Sequence, residues 1–426
     1  MSEWQPTTLA KVLKFSNGRS SPERDDCHTN PVYGSNGVIG YSNETNAPSQ
    51  TIVIGRVGSY CGSLYFSTNE SWITDNAIRA NALDDNDPKF LFYLLQTLGL
   101  NHWRTGSGQP LLNQTILGSI PTSIPEPNLQ RIIAHILGTL DDKIELNRRM
   151  NETLEAIARA IFQSWFVDFD PVRAKASGES VESICQRLGL TPELLALFPD
   201  SLVDTELGEI PAGWNSRVFG DWLSRTIGGD WGVDVADDQH GVSVRIIRGT
   251  DMPKLKGGVS KNVPSRFVQA SKFSSRKLQP EDIVLEVSGG SKDQPTGRGL
   301  RVTNEMLRVL GGSVVPASFC RLLRPALPDT GLHLSLHLDA IYSAGKTWEY
   351  QNQSTGISNF QTEYFLEHEM VVDPGNSIIA AFNQLVSPLL SGKPSSEAGS
   401  LVELRDTLLP KLVSGELDSL GLGSRI

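Results

Sequence analysis

The apolar periodicity that begins at Leu129 constrains the fold of this 426-residue chain more than any other feature. Apolar residues recur in alternating steps of three and four, which predicts a helix with one packed stripe. A helix over 129–166 is about 57 Å long at ~1.5 Å per residue, so it must pack along another long helix. The stripe consists of Leu129, Ile133, Ile136, Leu140, Met150, Leu154, Ile157 and Ile161.

The C-terminal region supplies the expected partner helix. A first segment over 378–389 is limited by Pro388 and Pro394, because proline removes a helix donor and clashes with the preceding turn. Ser395 or Ser396 caps a second segment, which Pro410 should kink. Its apolar positions are Leu401, Leu404, Leu408 and Leu412. In the first helix, Asn147 interrupts the stripe; it either fixes the register of a coiled coil or faces solvent where the helices diverge.

The chain repeats itself at long period. Trp4 and the residues up to Gly18 parallel the stretch from Trp214 to Gly229, at an offset of 210. Residues 106–113 parallel 354–361 at an offset of 248, and the apolar pattern over 154–165 recurs over 401–412 at an offset of 247. The three matches follow the same order, with about 38 extra residues in the second half, which indicates an internal duplication.

Each half is predicted to be β-rich before its helix. Short β-branched runs stand at 52–55 and 283–287, each followed by glycines that predict turns. Asn36-Gly37 favours a tight hairpin, which is either a plain turn or a binding loop. The predicted fold class is α+β: two similar mixed α/β domains separated by a long antiparallel helical coiled coil. The expected boundaries are 1–125, helix 126–167, linker 168–213, 214–375, helical region 376–417 and tail 418–426.

Composition excludes several classes of protein. No run of 18 apolar residues occurs, so no transmembrane helix is predicted, and the opening residues lack the pattern of a secretory signal. The four cysteines are far apart and form no CxxC pair, which argues against a zinc site or a disulfide framework and favours a reducing cytoplasm.

Charge is unevenly distributed. The net charge is −10, yet residues 245–308 carry 13 basic and 6 acidic groups, whereas 140–213 carry 7 basic and 14 acidic ones. Because an electric field is local, an acidic chain can still present a basic groove to nucleic acid. The alternative is that the basic stretch is a solvated face without a partner.

Known catalytic motifs are absent. An amino-methyltransferase needs an Asp/Asn-Pro-Pro-aromatic tetrad, and both Asn30-Pro31 and Asp170-Pro171 lack the second proline. No phosphate-binding loop of the GxxxxGK[ST] type occurs. His333 and His337 are four residues apart, but no acidic partners complete a metal pattern, and solvent exposure is expected for them.

Several tracts resemble type I restriction–modification specificity subunits. They are 33–41 (YGSNGVIGY), 54–62 (IGRVGSYCG), 106–110 (GSGQP), Ile120-Pro121 with the helix opening at Gln130, and the C-terminal 403–417 (ELRDTLLPKLVSGEL). The resemblance covers nearly the whole chain. The second half departs most: 287–291 (VSGGS) stands where the first half has GRVGS, and an insertion lengthens it.

The resemblance implies a non-catalytic bacterial or archaeal cytoplasmic subunit. Its two target-recognition domains would each read one half of a split double-stranded DNA site, and its helices would set the spacing. Two methyltransferase subunits would dock on the helices and methylate adenine N6, and two restriction or motor subunits would add ATP-dependent cleavage. S-adenosylmethionine, ATP and Mg would belong to those partners, so no cofactor or metal is expected in this chain.

Candidate DNA contacts lie on or beside glycine-bounded loops in the first half and within the basic stretch of the second. Arginine pairs with guanine and glutamine with adenine in the major groove. The first-half candidates are Arg19, Arg56, Ser59, Tyr60, Arg79, Ser107, Gln109 and Asn113. The second-half candidates are Arg245, Arg248, Lys254, Lys256, Lys272, Arg276, Lys277, Lys292, Arg298 and Arg301.

Two other functions remain open. One is a DNA methyltransferase or nuclease with unrecognised motifs, for which binding of S-adenosylmethionine by the isolated chain would speak. The other is a coiled-coil scaffold that binds only protein, which has no need of the basic stretch at 245–308.

Overall fold

The computed structural model describes residues 4–105, 111–205, 208–257, 263–290, 294–354, 357–390 and 393–417. The chain divides into two compact units: residues 1–144 with 401–426, and residues 145–400. Both units mix strands and helices, as the sequence predicts, and each encloses apolar clusters of its own.

The first unit is built from short strands and helices, including the end of the C-terminal helix. The strands are β1 Gln5–Thr8, β2 Leu13–Asn17, β3 Asn30–Gly34, β4 Gly37–Ser42, β5 Thr51–Gly55, β6 Leu64–Ser67, β7 Trp72–Ile73, β8 Ala77–Ala82 and β9 Pro121–Ile124. The helices are α1 Leu9–Val12, α2 Pro88–Thr97, α3 Gln114–Ser119 and α4 Pro127–Phe166, whose last residues belong to the second unit.

The second unit is larger. Its helices are α5 Asp170–Ala176, α6 Val181–Leu188, α7 Pro192–Leu195, α8 Met252–Lys256, α9 Ala270–Arg276, α10 Asn304–Val309, α11 Gly331–Ser343, α12 Thr362–His368, α13 Asn376–Leu390 and α14 Lys393–Ser414, which ends in the first unit. Its strands are β10 Leu202–Thr205, β11 Gly208–Pro211, β12 Asn215–Val218, β13 Leu223–Gly228, β14 Val242–Ile247, β15 Ser265–Val268, β16 Ile283–Glu286, β17 Ser288–Gly289, β18 Gly299–Arg301, β19 Val314–Pro316, β20 Cys320–Pro325, β21 Gln351–Ser354, β22 Ile357–Phe360 and β23 Met370–Asp373.

The two units share one strand topology. The four-stranded sheets run β2-β8-β5-β6 and β13-β20-β16-β18, the three-stranded sheets β4-β3-β7 and β15-β14-β19, and the closing pairs are β1-β9 and β12-β23. In both three-stranded sheets one pairing is antiparallel and the other parallel. The duplication predicted from weak sequence matches is therefore a duplication of fold. The second unit adds a sheet of order β17-β22-β21 and a β10-β11 hairpin.

Burial explains how the four-stranded sheet of the first unit is covered. The β-branched side chains of Ile52, Ile54 and Ile78 are fully buried in one cluster with Phe90 and Tyr93 of α2. Helix α2 begins where it does because the Asp87 carboxylate accepts from the Phe90 amide at 2.8 Å.

The buried stripe of α4 differs from the predicted one. It runs through Leu129, Ile133, Asn147, Ala158 and Phe162, all 8% exposed or less. An α-helix has 3.6 residues per turn and drifts by about 20° per heptad, so a stripe read in strict heptads leaves the buried face. The predicted packing positions Ile157 and Leu404 are 43% and 46% exposed. Half-buried positions are Ile136, Leu140, Leu154, Ile161, Leu401 and Leu408, whereas Leu412 is buried.

Asn147 lies inside this stripe. It is 2% exposed, and its Nδ2 donates to Glu397 at 3.2 Å. The alternative in which Asn147 faces solvent is therefore wrong. Each unmade hydrogen bond of a buried amide costs free energy, which is why Asn147 has a partner on α14.

Pro388 does not end the first C-terminal helix, contrary to the prediction. Helix α13 includes Pro388 and continues to Leu390, and α14 continues past Pro410 to Ser414. Helix α14 begins at Lys393, so Ser395 and Ser396 lie inside its first turn and are not its caps. Pro394 is tolerated there because the first-turn amides of a helix have no intrahelical partner.

Residues 168–213 form more structure than a linker requires. They contain α5, α6, α7 and the β10-β11 hairpin. Phe169, Phe198 and Trp214 are buried in a cluster with Trp165 and Phe382. Aromatic stacking of this kind anchors the segment within the second unit.

Candidate nucleic-acid interface

In the first unit, three predicted arginines lie on segments that meet at the turn between β7 and β8. The Arg19 amide donates to the Ile73 carbonyl at 3.0 Å, and its side chain is exposed. Arg79 lies on β8 and donates to the Asn46 carbonyl, and Arg56 directly follows β5. The Nε atoms of Arg56 and Arg79 are buried without a hydrogen-bond partner in the described part of the chain.

No described carboxylate forms an ion pair with these three arginines. Burial, and after it the positive charge of Arg19, lower the pKa of Arg79. Glu70 lines the same shallow recess as Arg19, but its carboxylate accepts from the Thr45 hydroxyl at 3.3 Å. Unpaired cations held close together create the positive potential that attracts phosphate.

The turn beside these cations has a tightly held backbone. The Ala77 amide donates to the Thr74 carbonyl at 3.0 Å, and the Arg56 amide donates to the Asn76 carbonyl at 3.0 Å. A Cβ on Gly18 would overlap the Thr74 carbonyl, so the close approach requires glycine there. The Asn76 side chain is exposed at the turn.

The second unit repeats this turn bond for bond. Cys320 N donates to Ala317 O at 2.8 Å, Gly229 N to Cys320 O at 2.9 Å, and Val287 N to Phe319 O at 2.9 Å. Gly229 takes the place of Gly18, because a Cβ there would overlap the Ala317 carbonyl. These bonds align Asn76 with Phe319 and Arg56 with Val287. The sequence comparison pairs Val287 with Gly55, the first residue of GRVGS. The structure instead pairs Val287 with Arg56, so the two tracts are shifted by one residue from the predicted alignment.

Three basic side chains flank the second turn. Arg276 Nε donates to the Gly228 carbonyl at 2.8 Å, and Gly228 pairs with Arg321 across β13 and β20. Lys272 Nζ lies 3.5 Å from the Asp230 carboxylate. Arg321 and the exposed Phe319 were not among the sequence candidates, because the signal that reveals them is their alignment with the first unit.

Other predicted contacts of the second unit are engaged in ion pairs. Arg298 donates two hydrogen bonds of 2.8 Å to the carboxylate of the buried Glu286. These hydrogen bonds raise the pKa of Arg298. Such guanidinium groups brace the fold and have fewer donors left for DNA. The further pairs are Arg248–Asp251 at 2.7 Å, Lys256–Asp339 at 2.6 Å and Arg301–Glu281 at 2.9 Å.

The remaining basic candidates of the second unit have varied surroundings. Arg245 donates to the Val263 carbonyl at 3.1 Å, and Lys254 is exposed. Lys277 Nζ lies 5.6 Å from the centre of the Phe273 ring. Lys292 lies outside the described residues.

The polar candidates of the first unit have different surroundings and roles in the structure. Ser59 and Tyr60 are exposed on the 3-10 turn Gly58–Tyr60, where they are accessible to a ligand. Asn113 instead caps α3, because its Oδ1 accepts from the Ile116 amide at 2.8 Å. Ser107 and Gln109 lie outside the described residues.

The two histidines of α11 are not solvent-exposed, contrary to expectation. His333 is 1% exposed, and burial lowers its pKa to about 3. His337 Nε2 lies 2.8 Å from the carboxylate of Glu369, which Lys346 and Tyr350 also contact. The helix turns both residues toward the apolar interior, which their spacing alone does not reveal. Among the described residues, no group of three His, Cys, Asp or Glu could hold a metal.

Within the part of the chain that the structure describes, no helix is both long and apolar enough to cross a bilayer.

Comparison with known proteins shows which proteins the chain is similar to. Residues 1–156 match the type I restriction modification DNA specificity domain. The chain is 29% identical over 381 residues to the type I restriction enzyme HindI specificity subunit of Haemophilus influenzae, covering 78% of this chain and 77% of that protein. It is 25% identical over 350 residues to the MjaIX specificity subunit of Methanocaldococcus jannaschii, covering 77% and 69%.

A solved structure shares the fold. The S subunit of a type I restriction–modification system from M. genitalium matches with a TM-score of 0.57 and 15% identity, over 96% of both chains. The sequence tracts, the family match, the two relatives and the duplicated fold agree. This chain is similar in sequence to type I restriction–modification specificity subunits and shares the fold of one of them.

Proposed function

We propose that this chain is the DNA sequence-specificity subunit of a type I restriction–modification complex. Each unit reads one half of a bipartite double-stranded DNA site. The observation that carries the proposal is the repeated turn: the same backbone hydrogen bonds hold Asn76 and Phe319 at exposed positions beside clustered cations. The cations supply salt-dependent affinity for phosphate, and side chains at base edges supply specificity.

The long helices act as a spacer and as a docking site for the methyltransferase subunits. Helix α4 has 40 residues, long enough for such a role. Leu146, Met150 and Ile157 are 55%, 44% and 43% exposed, and their spacing of four and seven residues puts them on one helical face. An exposed apolar stripe is typical of a surface that another protein covers. We also propose the antiparallel coiled-coil arrangement predicted from sequence.

The chemistry of the complex would reside in other subunits. Two methyltransferase subunits would use S-adenosylmethionine to methylate adenine N6, and two motor subunits would use ATP and Mg for cleavage. This chain would contribute recognition and geometry in the cytoplasm of a bacterium or archaeon. The free cations of the first unit favour this function over a scaffold that binds only protein.

The test is methylome sequencing of cells that express this chain with its methyltransferase partner, against cells that lack the chain. The expected result is a split motif that carries N6-methyladenine on both strands only when the chain is present. Exchange of residues 1–125 for those of a relative should then change one half of the motif and leave the other half intact.

Two results would reject the proposal. If no motif depends on the chain, the protein-binding scaffold takes precedence. If the isolated chain binds S-adenosylmethionine and methylates DNA without a partner, the chain is itself an enzyme.

A further inference from the structure

We propose that the exposed turn position shared by the two units reads bases: Phe319 packs against the 5-methyl group of a thymine, and Asn76 hydrogen-bonds an adenine. This inference rests on the proposed function and names the readout of the same site. It assigns a role to two residues that differ in chemistry but occupy equivalent positions in the duplicated fold.

Phe319 is exposed although its backbone is firmly held. Its side chain is 66% exposed, whereas its neighbour Cys320 is 1% exposed. The Phe319 carbonyl accepts from the amides of Val287 at 2.9 Å and Ser288 at 3.3 Å. The fold therefore fixes where this ring stands without burying it. A ring whose backbone is fixed and whose side chain is left uncovered is available to contact a bound molecule.

The residues opposite Phe319 are small. The carbonyl of Phe319 faces β17, which consists of Ser288 and Gly289, and Gly290 follows. Gly289 and Gly290 have φ angles of +145° and +65°, which only glycine adopts readily. Neither Ser288 nor Gly289 carries a large side chain that could cover the exposed phenyl ring.

Three basic residues belong to the strand and helix segments next to this turn. Arg321 is two residues after Phe319 and pairs with Gly228 on the neighbouring strand. Arg276 donates a hydrogen bond to the Gly228 carbonyl. Lys272 lies on the same helix as Arg276. Phosphate contacts position a protein on the duplex but carry no sequence information, so the protruding ring is the group placed to discriminate bases. Phenylalanine contacts the thymine methyl in the major groove.

The first unit carries the polar counterpart. The Asn76 carbonyl is held by the Arg56 amide, as the Phe319 carbonyl is held by Val287. The described residues provide no hydrogen-bond partner for the exposed Asn76 amide. Asparagine forms a bidentate pair with adenine N6 and N7. The same scaffold position therefore suits an adenine in one half-site and a thymine in the other.

The test for Phe319 uses modified DNA and the full chain assembled with its methyltransferase partner. Once the methylated motif is known, each thymine of the half-site read by the second unit is replaced singly by deoxyuridine, which lacks only the methyl group. We expect one replacement to weaken binding about fourfold, the effect of one buried methyl group. For Phe319→Ala the thymine and deoxyuridine duplexes should bind equally.

Leu327→Ala is the matched control, because Leu327 is 54% exposed beyond the opposite end of β20. It should retain the native preference for thymine. The proposal is overturned if the half-site contains no thymine, if no replacement weakens native binding, or if Phe319→Ala keeps the preference. In those cases the chain-dependent motif still exists, so the proposed function stands; loss of the motif itself would remove both.

The test for Asn76 replaces adenines of the other half-site by 7-deazaadenine, which lacks the N7 acceptor. We expect one replacement to weaken native binding about tenfold and to leave Asn76→Ala unaffected. Both side chains are exposed, so thermal unfolding of each variant should match that of the native chain. Equal sensitivity of native and Asn76→Ala proteins to every replacement would reject the adenine contact.

Discussion

The two recognition units have the same strand topology but use charge in opposite ways. In the first unit, Arg19, Arg56 and Arg79 have no carboxylate partner among the described residues, and burial with mutual repulsion lowers the pKa of Arg79. In the second, five of the nine described candidates, Arg298 with Glu286 among them, are in ion pairs. Net charge along the sequence therefore overstates the basic surface of the second unit. Fold duplication preserves the turn, while each copy distributes its charges independently.

Among the charged contacts, the largest expected effect is on the stability of the second unit. Glu286→Gln leaves Arg298 half-buried beside an uncharged amide, and breaking a buried ion pair destabilises by about 3 kcal/mol. Denaturant unfolding should show this loss. Glu209→Gln is the control, because its pair with Arg173 is about half exposed on both sides and is worth about 0.5 kcal/mol. Equal losses for the two variants would show that the Glu286 pair is not a brace.

Acid should destabilise the second unit through protonation of Glu369. Although burial alone would raise it, bonds from His337, Lys346 and Tyr350 lower the pKa of Glu369 to about 2. A carboxylate whose pKa is depressed on folding stabilises the protein above its unfolded pKa of about 4.3, and this stabilisation is lost as pH falls toward 2. The loss is about 3 kcal/mol for a shift of this size.

The measurement is the free energy of unfolding of the native chain and Glu369→Gln between pH 6 and 2. The difference between the two should be largest near pH 6 and shrink continuously below about pH 4.3. A difference that stays constant over this interval would show that Glu369 is not the titrating group. A structural role of packing alone would give that constant difference.

The loss of DNA affinity per removed positive charge should differ between the two units. Arg19→Ala should weaken binding about tenfold and reduce the salt slope by about 0.9, without lowering stability, because Arg19 has no described ion pair to lose. Replacing Lys272, Arg276 and Lys277 together by alanine should also flatten the salt dependence. Because Lys272 contacts Asp230, the loss per charge should be smaller there. Unchanged binding of the triple variant would remove those residues from the interface.

What the sequence reveals depends on the distance over which a signal acts. The repeat was visible because backbone geometry demands glycine at both Gly18 and Gly229, which leaves local marks. A long-range ion pair such as Lys256–Asp339 leaves no local pattern in the sequence, because the two residues are 83 positions apart. The stripe of α4 was misread after Asn147 because apolar Met150 and Ile157 suggested a packed face where the buried side chains include Asn147 and Asn151. Phe319 became a candidate only through alignment of the two folds.

The smallest expected effect on the isolated chain is that of Ile157→Ala in α4, in contrast to Ile133→Ala in the same helix. In the first unit Ile133 is 3% exposed, whereas in the second Ile157 is 43% exposed. Ile133→Ala should cost about 2–5 kcal/mol, and Ile157→Ala less than about 0.5 kcal/mol, in denaturant unfolding of the isolated chain.

For association with the methyltransferase partner, the exposed side chains of α4 should matter more than its buried ones. Combined replacement of Leu146, Met150 and Ile157 by alanine should weaken association measured by titration of the labelled chain, because the exposed stripe is then the buried surface. Replacement of the exposed but charged Arg149 on the same helix is the control and should leave association nearly unchanged. If the triple variant binds the partner as tightly as the native chain, the exposed stripe is not the docking surface, and the polar faces of the helices would have to carry the contact.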